Sequence, residues 1–257
     1  MTRSPEPYGS RLQQVLPLFL MAALALAGCA SSSRTTGEGW KSLFNGRDLA
    51  GWTVKAKPDD RDMGFWRVED GAIVADSMGQ KGHDYVWLLT DEEYSDFVLR
   101  LRFQAYRDSP GNSGVQIRSR YDDEAGWLDG PQIDINPPGA WRTGMIWDET
   151  RGSKRWLYPE VPKGEWVDPS MAAPEFVFHY ADDEPAWNTL EIRAVGTEIT
   201  ARLNDVLVTE YDGQGVLNDE THRKHQVGMD AHIALQIHRG DQLRIRFKDI
   251  SIRKLAE

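Results

Sequence analysis

Apolar and polar residues alternate along most of the chain from residue 40 to residue 255, and no stretch shows the period of a long amphipathic helix. Residues 97–103 are typical. Leu99 and Leu101 fall on one side of the predicted strand, and Arg100 and Arg102 fall on the other. The predicted strands cover residues 65–68, 72–75, 97–103, 114–119, 131–135, 188–195, 198–203, 206–211, 233–238 and 243–253.

Short strands joined by Gly, Asp, Asn and Pro turns are typical of all-β proteins, and we predict a two-sheet jelly-roll sandwich over residues 40–257. The pair Asp70-Gly71 between the first two strands is a strong hairpin signal. Residues 147–174 show neither period, so we predict a long loop over one face of the sandwich. No internal repeat and no second domain are evident.

Three of the predicted strands carry polar side chains at alternate positions, with aliphatic residues between them. The polar pairs are Gln116 with Arg118, Gln132 with Asp134, and Gln236 with His238. A sheet face can be polar simply because it is solvated. Ordinary solvated faces, however, favour Lys, Glu and Thr over Gln and His. We therefore expect these strands to be neighbours and their polar faces to build one site.

Residues 132–136, Gln-Ile-Asp-Ile-Asn, invite comparison with laminarinase-like glucanases, whose motif places two glutamates around an aspartate on one strand face. Gln132 and Asn136 occupy both glutamate positions here. An amide can neither form a glycosyl ester nor cycle a proton, so the two-carboxylate mechanism cannot run on this strand. The remaining possibilities are a sugar-binding module and an enzyme that uses different chemistry.

The first residues follow the plan of an export signal. Arg3 and Arg11 precede an apolar run over residues 15–27, which is about half as long as a membrane-spanning helix. The run ends in Leu-Ala-Gly before Cys29, a sequence that resembles the lipobox of bacterial lipoproteins. We predict a lipoprotein signal peptide over residues 1–29 with lipidation at Cys29. The alternative is an ordinary signal peptide with a chance cysteine.

The Ser/Thr-rich segment 30–39 would then be a flexible tether. Ala30, directly after the cysteine, is not the aspartate associated with retention in the inner membrane. We therefore expect a bacterial protein held only by its lipid anchor at the periplasmic face of the outer membrane or at the cell surface.

Composition narrows the classes of function. The 257-residue chain has a formal net charge of −10, which argues against a nucleic-acid partner because such proteins normally carry a basic stripe. Its single cysteine excludes an intramolecular disulfide. Ten tryptophans and 23 glycines are a surplus that recurs in all-β proteins that stack on sugars.

Several segments, taken in order, resemble one known family. They cover residues 43–52, 66–71, 94–97, 111–118, 187–188, 235–238 and 247–250. Together they are similar to the 3-keto-disaccharide hydrolase domain, and the similarity extends over about residues 40–255. The resemblance implies a concanavalin A-like jelly roll. The chain departs from the family pattern at Gly130, where a Glu or similar residue is usual, and at the turn Asn204-Asp205, where Asn-Gly is common.

The resemblance also implies a reaction, the cleavage of glycosides already oxidised to a ketone at sugar carbon 3. The hydrogen on carbon 2 is then acidic, so base-assisted elimination expels the glycosidic oxygen and water adds afterwards. This chemistry needs no carboxylate nucleophile. It needs a base near pH 7, donors for the enolate oxygen and a proton for the leaving group.

We assign His238 the general base or acid role, because imidazole titrates in the required range. Asp134 would orient it, couple to its charge, or ligate a metal. The residues expected to bind substrate hydroxyls or the oxyanion are Gln132, Gln236, Asn112 and Arg118. Trp127, Trp141 and Trp156 lie in predicted loops and would either stack on sugar rings or pin those loops. His222 and His225 lie in a polar stretch that we predict to be a solvated loop.

Three points stay open at this stage. A divalent cation on Asp134 and His238 would polarise the ketone, but two ligands do not make a metal site. An oxidoreductase partner would have to supply the keto sugar. The alternatives to an enzyme acting on glycosidic bonds are a non-catalytic, lectin-like lipoprotein that binds oligosaccharides and a structural cell-surface domain.

Overall fold

The computed structural model describes residues 39–255, and these residues fold into two antiparallel β-sheets. The predicted signal peptide 1–29 with Cys29, and the predicted tether 30–39 apart from its last residue, lie outside the described residues. They stay predictions. Within residues 39–255 no helix is both long and apolar enough to cross a membrane.

Sheet A has eight strands. Their spatial order is β14 (Val206–Asp212), β13 (Glu198–Leu203), β12 (Asn188–Val195), β6 (Phe97–Ala105), β16 (Arg244–Lys254), β4 (Ala72–Asp76) and β3 (Trp66–Glu69), and β1 (Trp40–Ser42) also pairs with β16.

Sheet B also has eight strands. Their order is β11 (Arg155–Tyr158), β10 (Ile146–Asp148), β9 (Pro131–Ile135), β7 (Ser113–Asp122), β15 (Ala231–Ile237), β5 (Val86–Tyr94) and β2 (Trp52–Ala56), and β8 (Trp127–Asp129) also pairs with β7. The helices are short and comprise α1 (Pro58–Arg61), α2 (Glu220–His225) and the 3-10 helices Pro137–Arg142 and Pro169–Met171.

The core lies between the sheets and follows from the alternation in the sequence. Leu99 and Leu101 of β6 and Val115 and Ile117 of β7 are fully or almost fully buried. Each such side chain contributes about 1.5–3 kcal/mol by leaving water. The predicted all-β, two-sheet sandwich is confirmed.

The turn predicted at Asp70-Gly71 joins β3 to β4. Both residues have positive φ, +48° for Asp70 and +72° for Gly71, as the two-residue hairpin turn with a matching twist requires.

The order of the strands confirms that the three polar strands are neighbours, because β9, β7 and β15 lie side by side. Gln116 pairs with Gln132, and Gly114 pairs with Asp134. Ala234 of β15 pairs with Gln116 on the other side. The polar positions of these strands therefore share the face of sheet B that points away from the core.

Two sequence predictions in the loop regions were wrong. The stretch 147–174 is not all loop, because it contains the end of β10 and all of β11, and strands of three and four residues are too short for alternation to reveal. His222 is not solvated either, since it lies in α2 with its side chain fully buried.

Candidate functional site

A cleft of about 410 Å³ opens on the polar face of sheet B. Residues of β9, β10 and β11 line it, together with residues just before β5 and β7, residues just after β15, and the segments that follow β9, β10 and β11. Its lining residues are Tyr85, Pro110, Asn112, Gln132, Asp134, Asn136, Arg142, Trp147, Glu149, Lys154, Trp156, Trp166, His238 and Asp241. The volume lies in the range of pockets for small organic ligands, ~300–1,000 Å³.

His238 follows the last residue of β15 and is held between two partners. Its Nε2 lies 3.0 Å from the hydroxyl of Tyr85, and its Nδ1 lies 3.3 Å from Oδ2 of Asp241. The imidazole is 37% exposed, so a ligand in the cleft can reach it. The three side chains form a carboxylate–imidazole–phenol chain that ends in the cleft.

Burial and charge act on His238 in opposite directions. Burial lowers the pKa of the imidazole, but the carboxylate of Asp241, with Glu149 and Asp134, outweighs burial, so the pKa lies above its usual value. The same contact holds the pKa of Asp241 below its usual value in spite of burial. His238 therefore favours its protonated form more than a free imidazole does.

Asp134 lies in the middle of β9 and is almost completely buried. Its Oδ1 accepts a hydrogen bond from Asn112 Nδ2 (2.8 Å), and its Oδ2 accepts one from Arg142 Nε (2.7 Å). Burial raises the pKa of this carboxyl above its usual value, although Arg142 and Asn112 act in the opposite direction.

Asn112 connects the predicted acid to the histidine. Its backbone N–H donates to Asp241 Oδ2 (2.8 Å), and its side-chain amide donates to Asp134. His238 and Asp134 are thus linked through Asp241 and Asn112 and line one cleft.

Glu149 is a functional candidate that the sequence prediction missed. Its side chain lines the cleft and is only 5% exposed. Burial raises the pKa of its carboxyl to about 7, although Lys154 and Trp147 oppose the shift. A carboxyl with this pKa can exchange a proton near neutral pH. In the sequence it looks like any other acid in a polar loop, and only burial distinguishes it.

The backbone around Glu149 is fixed from both sides. Its amide donates to the carbonyl of Gly130 (3.0 Å). The preceding residue, Asp148, lies 3.2 Å from Nε2 of His222, and both side chains are fully buried. The pKa of His222, lowered by burial, is raised above its usual value by Asp148 and Asp219. His222, which the sequence analysis placed in a solvated loop, thus helps to hold the wall of the cleft in place through Asp148.

Tyr85, Arg142 and Asp241 were also missed. Tyr85 precedes β5, a strand that the sequence prediction did not include, and Arg142 ends a 3-10 helix. Asp241 could have been found from the sequence. It lies three residues after His238, a spacing at which a turn brings two residues together, and the structure has such a turn here.

The tryptophans have different positions from those expected. Trp127 packs edge-on against Tyr85 with ring centroids 5.0 Å apart, and Lys154 Nζ covers its ring at 3.6 Å. Its indole N–H donates to the carbonyl of Glu149 (2.9 Å). Trp141 packs behind the wall against a cluster that includes Trp156. Neither Trp127 nor Trp141 lines the cleft, whereas Trp156 does. Through its bond to Glu149, Trp127 pins the segment that follows β10.

Three buried glutamines lie in the floor. Gln132 lines the cleft, whereas Gln116 and Gln236 are fully buried beneath it. Both amide atoms of Gln116 and of Gln236, and Oε1 of Gln132, have no hydrogen-bond partner among residues 39–255. Of the two predicted glutamines, only Gln132 is therefore positioned to contact a ligand.

The prediction that Arg118 binds substrate was wrong. The residue has a positive φ of +47°, which breaks the strand alternation and turns the side chain away from the cleft. Its guanidinium donates to the carbonyls of Ser95 (2.7 Å) and Gly196 (2.5 Å) and to Asp96 Oδ1 (2.9 Å). Burial lowers the pKa of this fully buried group to about 10. Arg118 holds chain segments together and does not line the cleft.

Asp134 and His238 do not suit the divalent cation that the sequence left open. Both oxygens of Asp134 already accept protein hydrogen bonds, and one of these comes from a guanidinium that repels a cation. Both nitrogens of His238 face protein partners. Within residues 39–255, no group of three or more His, Cys, Asp or Glu side chains is arranged to hold a metal.

Comparisons with solved structures support the fold. A protein from Parabacteroides distasonis, provisionally named a glycosyl hydrolase, matches with 19% identity over 85% of this chain and 95% of its own, at a TM-score of 0.53. The cellulose-induced protein Cip1 matches with 13% identity over 84% of this chain and 97% of its own, at a TM-score of 0.53. A Bacillus subtilis protein of unknown function with a galectin-like fold matches with 9% identity over 80% of this chain and 90% of its own, at a TM-score of 0.50.

Sequence comparison identifies the family. No curated protein matches the chain. The family model of the 3-keto-alpha-glucoside-1,2-lyase-like domain matches residues 39–253, which is most of the chain, and it confirms the resemblance found in the sequence motifs. The family relates the chain to carbohydrate chemistry. The chain therefore belongs to the family of 3-keto-alpha-glucoside-1,2-lyase-like domains.

Proposed function

We propose that this chain cleaves 3-keto-glycosides by elimination followed by hydration. The observation that carries the proposal is the pairing, in one cleft, of a carboxyl with a pKa of about 7 and a histidine whose pKa is raised by a carboxylate. Elimination needs one group that takes a proton and one that gives a proton, and these two groups match that need at neutral pH.

In this mechanism ionised Glu149 takes the proton from carbon 2 of the keto sugar. The electron pair passes to the ketone and forms an enolate. The enolate then collapses to a double bond between carbons 1 and 2, and the glycosidic oxygen leaves. Protonated His238 supplies that oxygen with a proton through the hydroxyl of Tyr85, which lies 3.0 Å from Nε2.

The remaining cleft residues bind the sugar and its developing charge. Arg142 is fixed by Asp134 and places a positive charge beside the enolate oxygen. Asn112 and Gln132 offer amide groups to the sugar hydroxyls. In the second stage water adds its hydroxyl to carbon 1 and a proton returns to carbon 2, so the net products are the 3-keto sugar and the released alcohol.

The test compares methyl 3-keto-α-glucoside with unoxidised methyl α-glucoside. We expect methanol release from the first alone, with transient ultraviolet absorbance from the unsaturated ketone. We expect kcat/KM to rise with pH through about 7 as Glu149 ionises, and to fall as His238 loses its proton above the usual pKa of a histidine. Equal release from both substrates, or release from neither, would contradict the proposal.

Carbohydrate binding without turnover is the second candidate function. The indoles of Trp147 and Trp166 in the cleft favour it, because aromatic faces are common contacts of bound rings. It predicts that the 3-keto-glucoside binds in a calorimetric titration and is recovered intact after prolonged incubation.

We further propose that the chain is a lipoprotein anchored through Cys29, as the lipobox resemblance suggests, and that an oxidoreductase supplies its keto sugar. Metabolic labelling with a fatty-acid probe, compared between the chain and Cys29→Ser, tests the anchor. Equal labelling of the two would contradict it.

A further inference from the structure

The cleft changes its chemical character from one side of sheet B to the other. His238 follows β15, Asp134 lies on β9, and Trp147 lies on β10, which is the next strand. Neighbouring strands lie ~4.8 Å apart, so β15 and β10 are separated by about 14 Å. His238 and its partners Tyr85 and Asp241 lie at one end of this distance, and the indoles lie at the other end, where Glu149 follows β10.

Trp166 is the most prominent residue of the aromatic end. It is 59% exposed, more than any other large apolar side chain in the described part of the chain. Burying a large apolar side chain is favourable, so an indole that stays exposed beside a cleft is typical of a surface that binds a ligand.

The indole of Trp166 is also held in place. Its ring centroid lies 5.4 Å from that of Trp147 and 5.4 Å from that of Trp156. The guanidinium carbon of Arg142 lies 5.7 Å from the same ring, and Nε of Arg142 donates to Asp134. The aromatic end is therefore rigid and is connected through Arg142 to the polar floor.

We propose that the aromatic end is a subsite for a ring in the leaving group, with Trp166 as its main contact. This inference rests on the proposed function. A keto sugar with its carbon 2 at Glu149 and its glycosidic oxygen at the hydroxyl of Tyr85 uses one part of the cleft, and the group carried by that oxygen extends toward Trp147 and Trp166. The subsite fits a flat ring with apolar faces, which is either a second sugar ring or an aromatic aglycone.

The experiment uses three 3-keto-α-glucosides with alcohol leaving groups of different shape: methanol, glucose and benzyl alcohol. kcat and KM are measured for the full chain, Trp166→Ala, Trp166→Phe and Met171→Ala. Met171 is the matched control, because it is an exposed apolar side chain of the same connecting segment but does not line the cleft.

We expect Trp166→Ala to lower kcat/KM for a ring substrate about three- to tenfold more than for the methyl substrate, mainly through KM. Trp166→Phe should restore most of the difference, and Met171→Ala should show none. A selective loss for the glucose substrate alone identifies a sugar subsite, and one for the benzyl substrate alone identifies an aromatic subsite. Equal effects on all three substrates, or no effect, would overturn the proposal.

Failure of the proposed function can be recognised separately. If the full chain cleaves none of the keto substrates, calorimetric titration with the unoxidised methyl, glucosyl and benzyl α-glucosides still tests the subsite. Weaker binding of a ring ligand to Trp166→Ala, relative to the methyl ligand, would support the subsite while the proposed reaction fails. Unchanged binding would overturn the subsite too.

Discussion

The two sheets differ most in the faces that point away from the core. On sheet A, Arg100 pairs with Glu191 with side chains 54% and 27% exposed. On sheet B, Asp134 pairs with Arg142 with side chains 3% and 15% exposed. Both faces arise from the same alternation along a strand. The loop segments that cover sheet B turn its polar face into a site, whereas sheet A stays open to water.

Because loop segments cover the polar face of sheet B but not that of sheet A, charged groups on the two sheets differ in how strongly water screens them and in how far burial shifts their pKa values. Water screens the ion pairs of sheet A, so they contribute little to stability and respond to salt. On sheet B, burial penalises the charged forms, and the pKa values of Asp134 and Glu149 rise as a result. A group that exchanges protons near pH 7 can therefore arise on sheet B from an ordinary glutamate.

The largest difference between the sheets should appear in catalysis. His238→Ala removes the proton donor of the proposed relay, and we expect kcat on methyl 3-keto-α-glucoside to fall by about 10²- to 10⁴-fold. Arg102→Ala on sheet A is the control and should leave kcat within twofold. Circular dichroism and the melting temperature of both variants show whether they fold. Unchanged turnover in a folded His238→Ala variant would remove the histidine from the mechanism.

Glu149→Gln should separate stability from activity. In the unfolded chain this carboxyl ionises near the usual glutamate pKa of 4.5, whereas in the folded protein it keeps its proton until about pH 7. This group therefore lowers the stability of the wild type as pH rises through this window, by about 3 kcal/mol, and the glutamine variant lacks this contribution. We expect the variant to be inactive, equally stable at pH 4.5, and more stable at pH 8.

Urea unfolding at the two pH values measures this gain. Glu191→Gln on sheet A is the control, and its stability should change by less than about 1 kcal/mol at either pH. If Glu149→Gln is no more stable than the wild type at pH 8, the buried carboxyl has partners that compensate its charge, and its pKa is near the usual value.

The sequence predicted which sheet face carries the site better than it predicted the chemical roles of the residues there. Alternation assigned Gln132, Asp134 and His238 to the polar face of the sheet, because side-chain parity and hydrophobic burial are local properties that a single strand displays. A one-residue change in backbone conformation at Arg118 was enough to defeat the same reasoning, since nothing in residues 114–119 marks the positive φ.

The missed residues show the second limit. Glu149 and Trp166 lie in or beside segments without periodicity, and their properties come from contacts with residues distant in sequence. Trp127 was identified by its residue type, with stacking on a sugar and pinning of a loop both left open, and its ring packs against Tyr85. Residue type indicates what a side chain can do, and only the packing determines which partner it has.

Buried amides allow a finer comparison of the sheets. Gln116 of sheet B has no hydrogen-bond partner for either amide atom among residues 39–255. Gln104 of sheet A, also buried, accepts from the hydroxyl of Tyr106 (3.0 Å). Because an unsatisfied buried amide costs about 1–3 kcal/mol, we expect Gln116→Met to stabilise the fold by about 1 kcal/mol or more.

Gln104→Met is the matched substitution and should destabilise the fold by a similar amount, because it removes a hydrogen bond that is made. Urea unfolding of the two variants at pH 7 provides the measurement. A loss of stability in Gln116→Met would mean that its amide is hydrogen-bonded in solution, and the floor of the cleft would then be as well satisfied as the outer face of sheet A.

The smallest effect should come from the ion pair of Arg100 and Glu191 on sheet A. A double-mutant cycle with Arg100→Gln and Glu191→Gln should give a coupling free energy of about 0.2–1 kcal/mol, because water screens both groups. Arg100 also packs on the ring of Trp40 at 4.6 Å, so its single substitution should cost more than the coupling does. Raising the salt concentration to about 1 M should remove most of the coupling and leave the packing contribution. A coupling of several kcal/mol that resists salt would mean that this face is covered in solution, and the contrast between the sheets would then not come from cover.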